Sequence, residues 1–174
     1  MLILSRHRWA LPIVAQLAAT GGSRFVPLAN HLGLSRDALR QTLDALIDEG
    51  LVMRNPGYGH PTRPEYILTD KGRRVAPSCA RILRELRDAR IEDVVLKKWS
   101  MPILLALGRE SRYTELRRTV GATPRALTLA LKELMARGLV ERRVQEGFPP
   151  STTYVLSQES RTLRRCVKRL AAAL

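Results

Sequence analysis

The sequence predicts a mainly α-helical fold with small β-hairpins (α+β), built from two similar domains in tandem. The first observation is an internal repeat: residues 23–54 align without a gap with residues 111–142, and roughly a third of the positions are identical. The second is the helical spacing of apolar residues through most of each copy. The third is a pair of short strand-like segments that closes each copy.

The repeat fixes the domain organisation. Its constant offset of 88 residues persists to residue 73 in the first copy and residue 161 in the second. This period is too long for a solenoid, whereas each copy is long enough for a small domain with a modest core. We therefore divide the 174 residues into a first domain, 1–88, and a second, 89–174. Two similar binding surfaces in one chain suit a target that is itself repeated.

The second copy begins with two predicted helices. Ser100 is a candidate N-cap for the first, which tolerates Pro102 in its first turn and ends at Gly108. The next helix spans residues 113–120, and Gly121 supplies the turn that follows. The predicted core positions of these two helices are Ile103, Leu104, Leu107, Leu116 and Val120.

A third helix and a hairpin complete the copy. Thr123 is a good N-cap, Pro124 suits the first helical position, and the helix stops before Gly138. A strand over 138–144 and a returning strand over 152–156 flank a tip at 146–150. The predicted core positions of this third helix are Ala126, Leu127, Ala130, Leu131 and Leu134. Helix, helix, turn, helix and hairpin is the order of a winged helix-turn-helix.

The first copy repeats this order with its own signals. Ser35 is the N-cap of its third helix, and Gly50 ends that helix. Glycines and prolines in residues 55–64 mark the tip of its hairpin, or wing. The predicted core positions of the third helix are Ala38, Leu39, Leu43 and Leu46.

Two further helices are predicted to join the halves. Residues 79–98, between the copies, have helical composition, and residues 161–174 form the matching helix after the second wing. The apolar positions of the first of these segments are Ile82, Leu83, Leu86, Val94 and Val95. We expect both helices to bury their apolar faces at an interface that relates the two domains by a pseudo-two-fold axis.

The charge of the chain points to a polyanionic partner. Lys and Arg number 30 against 16 Asp and Glu, which gives a net charge of +14. Residues 1–88 carry 13 cationic and 8 acidic side chains, and residues 89–174 carry 17 and 8, so both halves are basic. Nucleic acid is the most common partner of such a chain, ahead of membrane surfaces and acidic proteins.

The cysteines and the N-terminus bear on the compartment. Cys79 and Cys166 are too few for a disulfide framework, which favours a reducing environment. Residues 6–19 resemble a signal peptide, but their Trp-led pattern recurs from Trp99 onward, inside the chain. No apolar run is long enough to span a bilayer. We therefore expect a cytoplasmic protein without a membrane partner.

Enzymatic chemistry has little support in the sequence. His7, His31 and His60 show no metal-ligand spacing with one another or with the cysteines. Gly57 and Gly59 lie in the predicted wing, so they do not form a phosphate-binding loop between a strand and a helix. We expect no enzyme activity, no cofactor and no metal site.

A family resemblance rests on several segments of the second half: KKWSMPILLAL, then YTELRR, then TPRALTLALKELMARGLVERR, and a proline-tipped wing before TYVLS. Together they resemble the HxlR-type winged helix-turn-helix transcription regulators, and the first half resembles them more weakly. The resemblance implies a bacterial DNA-binding repressor or activator. Members usually carry one winged helix per chain and dimerise through its flanking helices, so this chain looks like a covalent version of that dimer.

The cysteines depart from the family pattern. Some members sense oxidants or electrophiles through a Cys ahead of the Trp-led helix, and neither Cys79 nor Cys166 occupies that place. The two lie at nearly equivalent positions of the repeat, so a pseudo-two-fold axis would bring them close enough for a thiol switch. Burial of both as small apolar side chains is the more common arrangement.

The third helix of each copy is the predicted reading element, because that helix of a helix-turn-helix enters the major groove. Arg suits guanine, Gln suits adenine, and Leu129 suits a thymine methyl group. The outward positions are Arg36, Asp37, Arg40, Gln41 and Asp44 in the first copy and Arg125, Thr128, Leu129 and Lys132 in the second. The alternative for any one of these residues is a solvated surface position.

The two reading surfaces differ, since Asp37 and Asp44 repel phosphates in the first copy only. We therefore expect two related but unequal half-sites with centres about 10 bp apart, or a multiple of that. The wings contribute phosphate or minor-groove contacts. Their predicted contact residues are Arg54, Arg63, Arg142 and Arg143, with Tyr58 and His60 as weaker candidates at the first tip.

These features predict a sequence-specific regulator of transcription, most simply a repressor, that binds double-stranded DNA with both winged helices of one chain. The alternative is a tandem winged-helix scaffold that binds a protein partner and contacts nucleic acid non-specifically, since fold alone does not fix function. A small-molecule effector between the halves, and a monomer or a homodimer, both remain open at this point.

Overall fold

The computed structural model describes residues 2–55, 65–146 and 151–174, with side chains from residue 4 onward. Within these ranges each half has five helices and three short strands. The elements of the first half are α1 (Leu2–Arg6), α2 (Ala10–Thr20), β1 (Ser23–Arg24), α3 (Phe25–Leu32), α4 (Arg36–Asp48), β2 (Val52–Asn55), β3 (Glu65–Leu68) and α5 (Asp70–Asp88). Those of the second half are α6 (Glu92–Val95), α7 (Ser100–Ala106), β4 (Ser111–Arg112), α8 (Tyr113–Val120), α9 (Pro124–Ala136), β5 (Val140–Gln145), β6 (Ser151–Leu156) and α10 (Ser160–Ala172).

The two small sheets have the same topology and the same register. Their strand orders are β1-β3-β2 and β4-β6-β5, and all pairs are antiparallel. Val52 pairs with Leu68 in the first sheet, and the residues 88 positions later, Val140 and Leu156, pair in the second. The sequence repeat is therefore also a repeat of backbone pairing, which makes equivalent positions directly comparable.

The predicted helix signals act as expected at α4 and α9, the helices that the sequence predicted as the third of each copy. The Ser35 hydroxyl accepts a hydrogen bond from the Ala38 amide at 3.3 Å, and Thr123 accepts one from Ala126 at the same distance. Each satisfies one of the free amides at a helix start. The predicted leucines of both helices are buried, whereas Ala38 and Ala126 are only half-buried.

One predicted cap was wrong by one residue. Trp99, not Ser100, is the N-cap of α7, and Ser100 is the first residue of the helix. The Ser100 hydroxyl is buried and donates a 2.7 Å hydrogen bond to the carbonyl oxygen of Val94. Its role is thus to join α7 to α6, because a buried hydroxyl needs a partner of this kind.

The helix between the copies also differs from its prediction. α5 starts at Asp70, directly after the first wing, and ends at Asp88, where the sequence predicted a helix over 79–98. The chain turns at Arg90, whose φ of 55° lies in the left-handed region, and α6 follows as a separate short helix. Arg137 of α9 holds this turn by donating to the carbonyl oxygen of Arg90 and pairing with Asp93.

The two halves share one apolar core. α5 packs against α10, and α1 of the first half packs against α7 of the second. The buried side chains of α10 are apolar except for Ser160, and they recur at helical spacing: Leu163, Cys166, Val167 and Leu170. The helices that follow the two wings therefore form the interface between the halves, as predicted.

Both cysteines are free and buried, Cys79 on α5 and Cys166 on α10, the two helices that pack against each other. Burial of the Cys79 thiol, which shields it from water, raises its pKa to about 12. A thiol with so high a pKa holds little of the reactive thiolate at neutral pH.

No helix in the described part of the chain has both the length and the apolar character needed to cross a membrane. Over the same residues, no three His, Cys, Asp or Glu side chains are grouped so that they would hold a metal ion.

Candidate nucleic-acid interface

The outward face of each third helix is exposed along its length. The buried face of α4 carries Leu39, Leu43 and Leu46, that of α9 carries Leu127, Leu131 and Leu134, and the opposite face of each helix is open to solvent. Every third-helix residue that the sequence predicted as outward is exposed: Arg36, Asp37, Arg40, Gln41, Asp44, Arg125, Thr128, Leu129 and Lys132. Leu129 is the most unusual of them, because 58% of this apolar residue is open to solvent.

A tyrosine holds the first turn of α9. The Tyr113 hydroxyl, on α8, donates to the carbonyl oxygen of Pro124 at 2.9 Å and lies 3.0 Å from the Thr128 hydroxyl. This contact fixes the angle between α8 and α9 and engages one candidate reading residue. Sequence analysis did not single out Tyr113. The available signal was an aromatic residue at the start of the second helix in both copies, since Phe25 occupies the equivalent position.

In the first half, an ion pair between the wing and the reading helix α4 neutralises one charge of each. Arg54 of β2 lies 3.9 Å from the Asp44 carboxylate of α4, and its guanidinium stands 6.0 Å from the centre of the Tyr66 ring. Both charged side chains are largely exposed, so the pair adds little stability. Its effect is on the local field, because a cation at the base of the wing is paired with an anion of the helix.

In the second half the same corner holds two cations. Lys132 and Arg142 occupy the positions equivalent to Asp44 and Arg54, in an identical strand register. Arg142 also shares a strand face with Val140, a core residue, because side chains alternate along a strand. Arg142 therefore lies on the α9 side of the wing, where it donates a 3.5 Å hydrogen bond to the Thr152 hydroxyl and forms no ion pair with a described carboxylate.

Arg143 lies on the opposite face of the same strand. Its guanidinium is 3.1 Å from the Glu141 carboxylate and 3.9 Å from that of Glu110. The sequence grouped Arg142 and Arg143 as equal wing contacts, but Arg143 forms ion pairs with two carboxylates and Arg142 forms none with a carboxylate of the described residues. The remaining wing candidates, Arg63, Tyr58 and His60, lie outside the described residues.

The second helices add to the difference between the halves. α8 exposes Arg117 and Arg118, whereas α3 has Ala29 and Asn30 at the equivalent positions. In a helix-turn-helix the helix that precedes the recognition helix crosses the DNA backbone, and α8 is that helix here, so its cations would meet phosphates. The sequence analysis missed these two arginines as site residues, although the ELRR segment was among the motifs that carried the family resemblance.

A scan against family models identifies the fold family from these two halves. The model of the HxlR-like helix-turn-helix family matches twice, at residues 4–91 and 94–173. The chain belongs to the HxlR-like helix-turn-helix family. It carries that family's unit as a tandem duplication, as the repeat predicted.

Curated relatives of the chain each match less than half of its length. An uncharacterised HTH-type transcriptional regulator of Mycobacterium tuberculosis is 42% identical over 72 residues, which is 41% of this chain and 45% of that protein. YybR of Bacillus subtilis, also named an uncharacterised HTH-type transcriptional regulator, is 38% identical over 77 residues, or 43% and 62% of the two chains. The match thus spans less than two thirds of each relative's own length.

Solved structures match a comparable portion of the chain. The oxidised form of the redox regulator HypR is 35% identical, with 46% of this chain and 84% of that one covered and a TM-score of 0.44. A transcriptional regulator of the MarR family from Porphyromonas gingivalis is 25% identical, with coverage of 50% and 85% and a TM-score of 0.45.

Proposed function

We propose that this chain is a sequence-specific transcriptional regulator, acting as a repressor, that binds double-stranded DNA with both of its winged helices. The observation that carries the proposal is the pair of exposed helices α4 and α9, each capped, with buried leucines on one face and with cationic side chains on the open face, Arg36 and Arg40 on α4 and Arg125 and Lys132 on α9. Membership of a family of helix-turn-helix proteins and the net charge of +14 support it.

One chain serves here as a pseudo-dimer. α5 and α10 are equivalent elements of the repeat, and they pack against each other. Contact between equivalent elements is what a two-fold axis produces. A pair of helix-turn-helix units related in this way reads two half-sites about one helical turn, or roughly 10 bp, apart. A rigid body seated over two turns of DNA excludes other proteins, which is the simplest form of repression.

The two halves contribute unequally. The second presents Lys132, Arg142, Arg117 and Arg118 toward the backbone, and this half supplies most of the phosphate contacts. The first neutralises Arg54 with Asp44, so it depends more on base contacts from Arg40 and Gln41. The operator half-site bound by the second half therefore tolerates base-pair substitutions, and the half-site bound by the first half does not.

Selection of bound duplexes from a randomised DNA library, at near-physiological salt, tests this function. We expect a bipartite motif with half-sites about one turn apart and a steep salt dependence, near −0.9 in log–log slope per phosphate contacted. Enrichment of one half-site alone would restrict reading to one winged helix. No enrichment, with only salt-sensitive non-specific binding, would favour the protein-interaction scaffold instead.

Two substitutions test whether α4 and α9 contact the bases of the DNA. Arg40→Ala and Arg125→Ala should each weaken binding to the selected site by about 1–3 kcal/mol and binding to random duplex by much less. Arg84→Ala is the matched control, because this exposed arginine lies on α5, away from either reading helix. Equal losses on specific and random DNA would show that these arginines contact phosphates rather than bases.

A further inference from the structure

A cleft of about 840 Å³ lies beside the second wing, outside the faces that the proposed function uses. It is formed by residues 107–110, which follow α7, by the end of strand β6 and by the first turns of α10. Leu107, Val155 and Leu156 provide its apolar surface, and four guanidiniums line the rest: Arg109, Arg161, Arg164 and Arg165. Small-molecule sites have this size and this mixture of apolar wall and few convergent polar groups.

The arginines of this cleft have no carboxylate partner in the described part of the chain. None of the four arginines forms an ion pair with a carboxylate of the described residues. The cleft holds one carboxylate, Glu110, and that group already accepts from the Thr153 hydroxyl and lies 3.9 Å from Arg143 on the sheet. The cleft thus carries a local excess of positive charge, which an anion would offset.

One of the arginines is held in position by the backbone. Arg164 is half-buried, and its Nε donates to the carbonyl oxygen of Leu105 at 3.4 Å. Gly108 makes room for it, since a Cβ at that position would stand 2.2 Å from the Arg164 guanidinium. A guanidinium held in this way keeps its remaining N–H groups for a ligand and loses little side-chain entropy on binding.

The repeat supplies an internal comparison. The equivalent cleft of the first half has a volume of about 420 Å³. Its Arg73 corresponds to Arg161 of the second half. However, Ala76, Pro77 and Ala80 stand at the positions equivalent to Arg164, Arg165 and Lys168. Two domains with the same backbone have therefore diverged at this face of one helix, from apolar in α5 to cationic in α10. Core packing does not demand the change, because Arg165 and Lys168 are exposed.

We propose that the α10 cleft binds a small polyanion, a molecule with two or more carboxylate or phosphate groups. Planar guanidiniums match both groups in bidentate geometry, and several arginines converging on one cavity fit more than one negative charge. α10 carries the cleft on one face and the contact with α5 on the other. A ligand that shifts α10 therefore acts on the relative placement of the two winged helices, as an effector would. The binding step itself does not depend on the proposed DNA function.

Calorimetric titration of the full chain with inorganic pyrophosphate and, separately, with citrate tests the proposal, at constant ionic strength. We expect saturable binding of one equivalent of at least one probe; the two titrations distinguish a phosphate from a carboxylate ligand. The double variant Arg161→Gln/Arg165→Gln should lower the affinity at least about tenfold, because charged hydrogen bonds are lost. Arg84→Gln/Arg169→Gln removes the same charge from exposed positions outside the cleft and should leave the affinity unchanged.

Three results would overturn the proposal. Absence of saturable binding by either probe would exclude a built site. Equal weakening in the two double variants would show diffuse attraction to a basic surface. A cleft variant with unchanged probe affinity but weaker, less salt-dependent DNA binding would assign the cleft to DNA phosphates. Circular dichroism and thermal melting of both variants establish that the substitutions, all at exposed arginines, leave the fold intact.

Discussion

At the residue scale, one pair of positions separates the two halves more than any other. Asp44 and Arg54 form a pair of opposite charges, and at the equivalent positions Lys132 and Arg142 form a pair of like charges. Two like charges at an exposed corner cost the folded chain little in water, but they create a site for a phosphate. The same backbone therefore has a neutral corner in one half and an anion-attracting corner in the other.

Asp44→Lys should convert the first corner into a copy of the second. Without its carboxylate partner Arg54 becomes free for a phosphate, and the new lysine adds a further cation. We expect tighter binding to random duplex and a log–log salt slope steeper by about 1 to 2, measured by fluorescence anisotropy over a salt series. Asp48→Lys makes the same charge change at another exposed position of α4. Equal effects of the two substitutions would mean that only net charge matters.

Cys79 gives a second prediction at this scale. Its burial raises the pKa of the thiol from 9.0 to about 12. Above pH 9 the unfolded chain loses this proton while the folded chain keeps it, so this contribution to stability is intact below pH 9 and is lost toward pH 12. The maximal slope is about 1.4 kcal/mol per pH unit. The free energy of unfolding, measured with urea between pH 9 and 10.5, should fall less steeply with pH in Cys79→Ala than in the wild type. Identical slopes would contradict the assignment.

At the scale of elements, the start of α5 depends on one close approach. Gly72 lies in the first turn of this helix, and a Cβ there would stand 2.0 Å from the carbonyl oxygen of Leu51. That oxygen also accepts hydrogen bonds from the Thr69 amide, at 3.1 Å, and from its hydroxyl, at 3.3 Å, so it cannot move away without loss. The missing side chain of Gly72 thus allows the first turn of α5, the helix that joins the halves, to pack against the backbone that follows α4.

Gly72→Ala should destabilise the chain although alanine is the better helix former. Propensity alone favours alanine by about 1 kcal/mol, and overpacking against a fixed carbonyl costs about 1–3 kcal/mol or more. We expect a net loss in the free energy of unfolding, measured with urea. Ser78→Ala, on the same helix, tests alanine in a half-buried position without such a contact. A stabilised Gly72→Ala variant would show that the backbone shifts easily here.

The elements that the sequence predicted well are those with a local signal. The capped third helices and the predicted bounds of α8 depend on N-cap residues, glycines and helical spacing, all of which are readable from neighbours in the chain. The bounds of α5 were wrong because Pro77 and Gly72 both disfavour a helix locally, and contacts with α2 and α10 override them. Ser100 was misassigned as a cap because its hydroxyl bonds a distant carbonyl in preference to its own helix.

The candidate site was predictable in part for the same reason. Helical spacing sufficed to identify the exposed face of each third helix. The pairing of Arg143 with Glu110 joins β5 to the residue directly before β4, and it follows only from the sheet register. Likewise, the cationic cleft depends on which residues of β6 and of the segment after α7 lie opposite α10, and no spacing along the chain reveals this.

At the scale of the whole molecule, the two winged helices are held as one body. α5 packs on α10, α1 packs on α7, and the buried residues form a single cluster through both halves. A flexible linker would let each half find its own half-site at many separations. A shared core fixes the distance and the angle between α4 and α9 instead, so the spacing of the DNA target becomes a property of the fold.

Spacing therefore provides the sharpest test of the pseudo-dimer. With the selected operator as reference, insertion of 5 bp between the half-sites moves one of them to the opposite face of the DNA, and insertion of 10 bp restores the face but adds about 34 Å. Because the halves share a core, both insertions should reduce the affinity to that of a single half-site, measured by electrophoretic mobility shift. Duplexes in which one half-site is scrambled give that reference value. Retained affinity after the 10 bp insertion would mean that α5 and α10 separate and that the halves move independently on DNA.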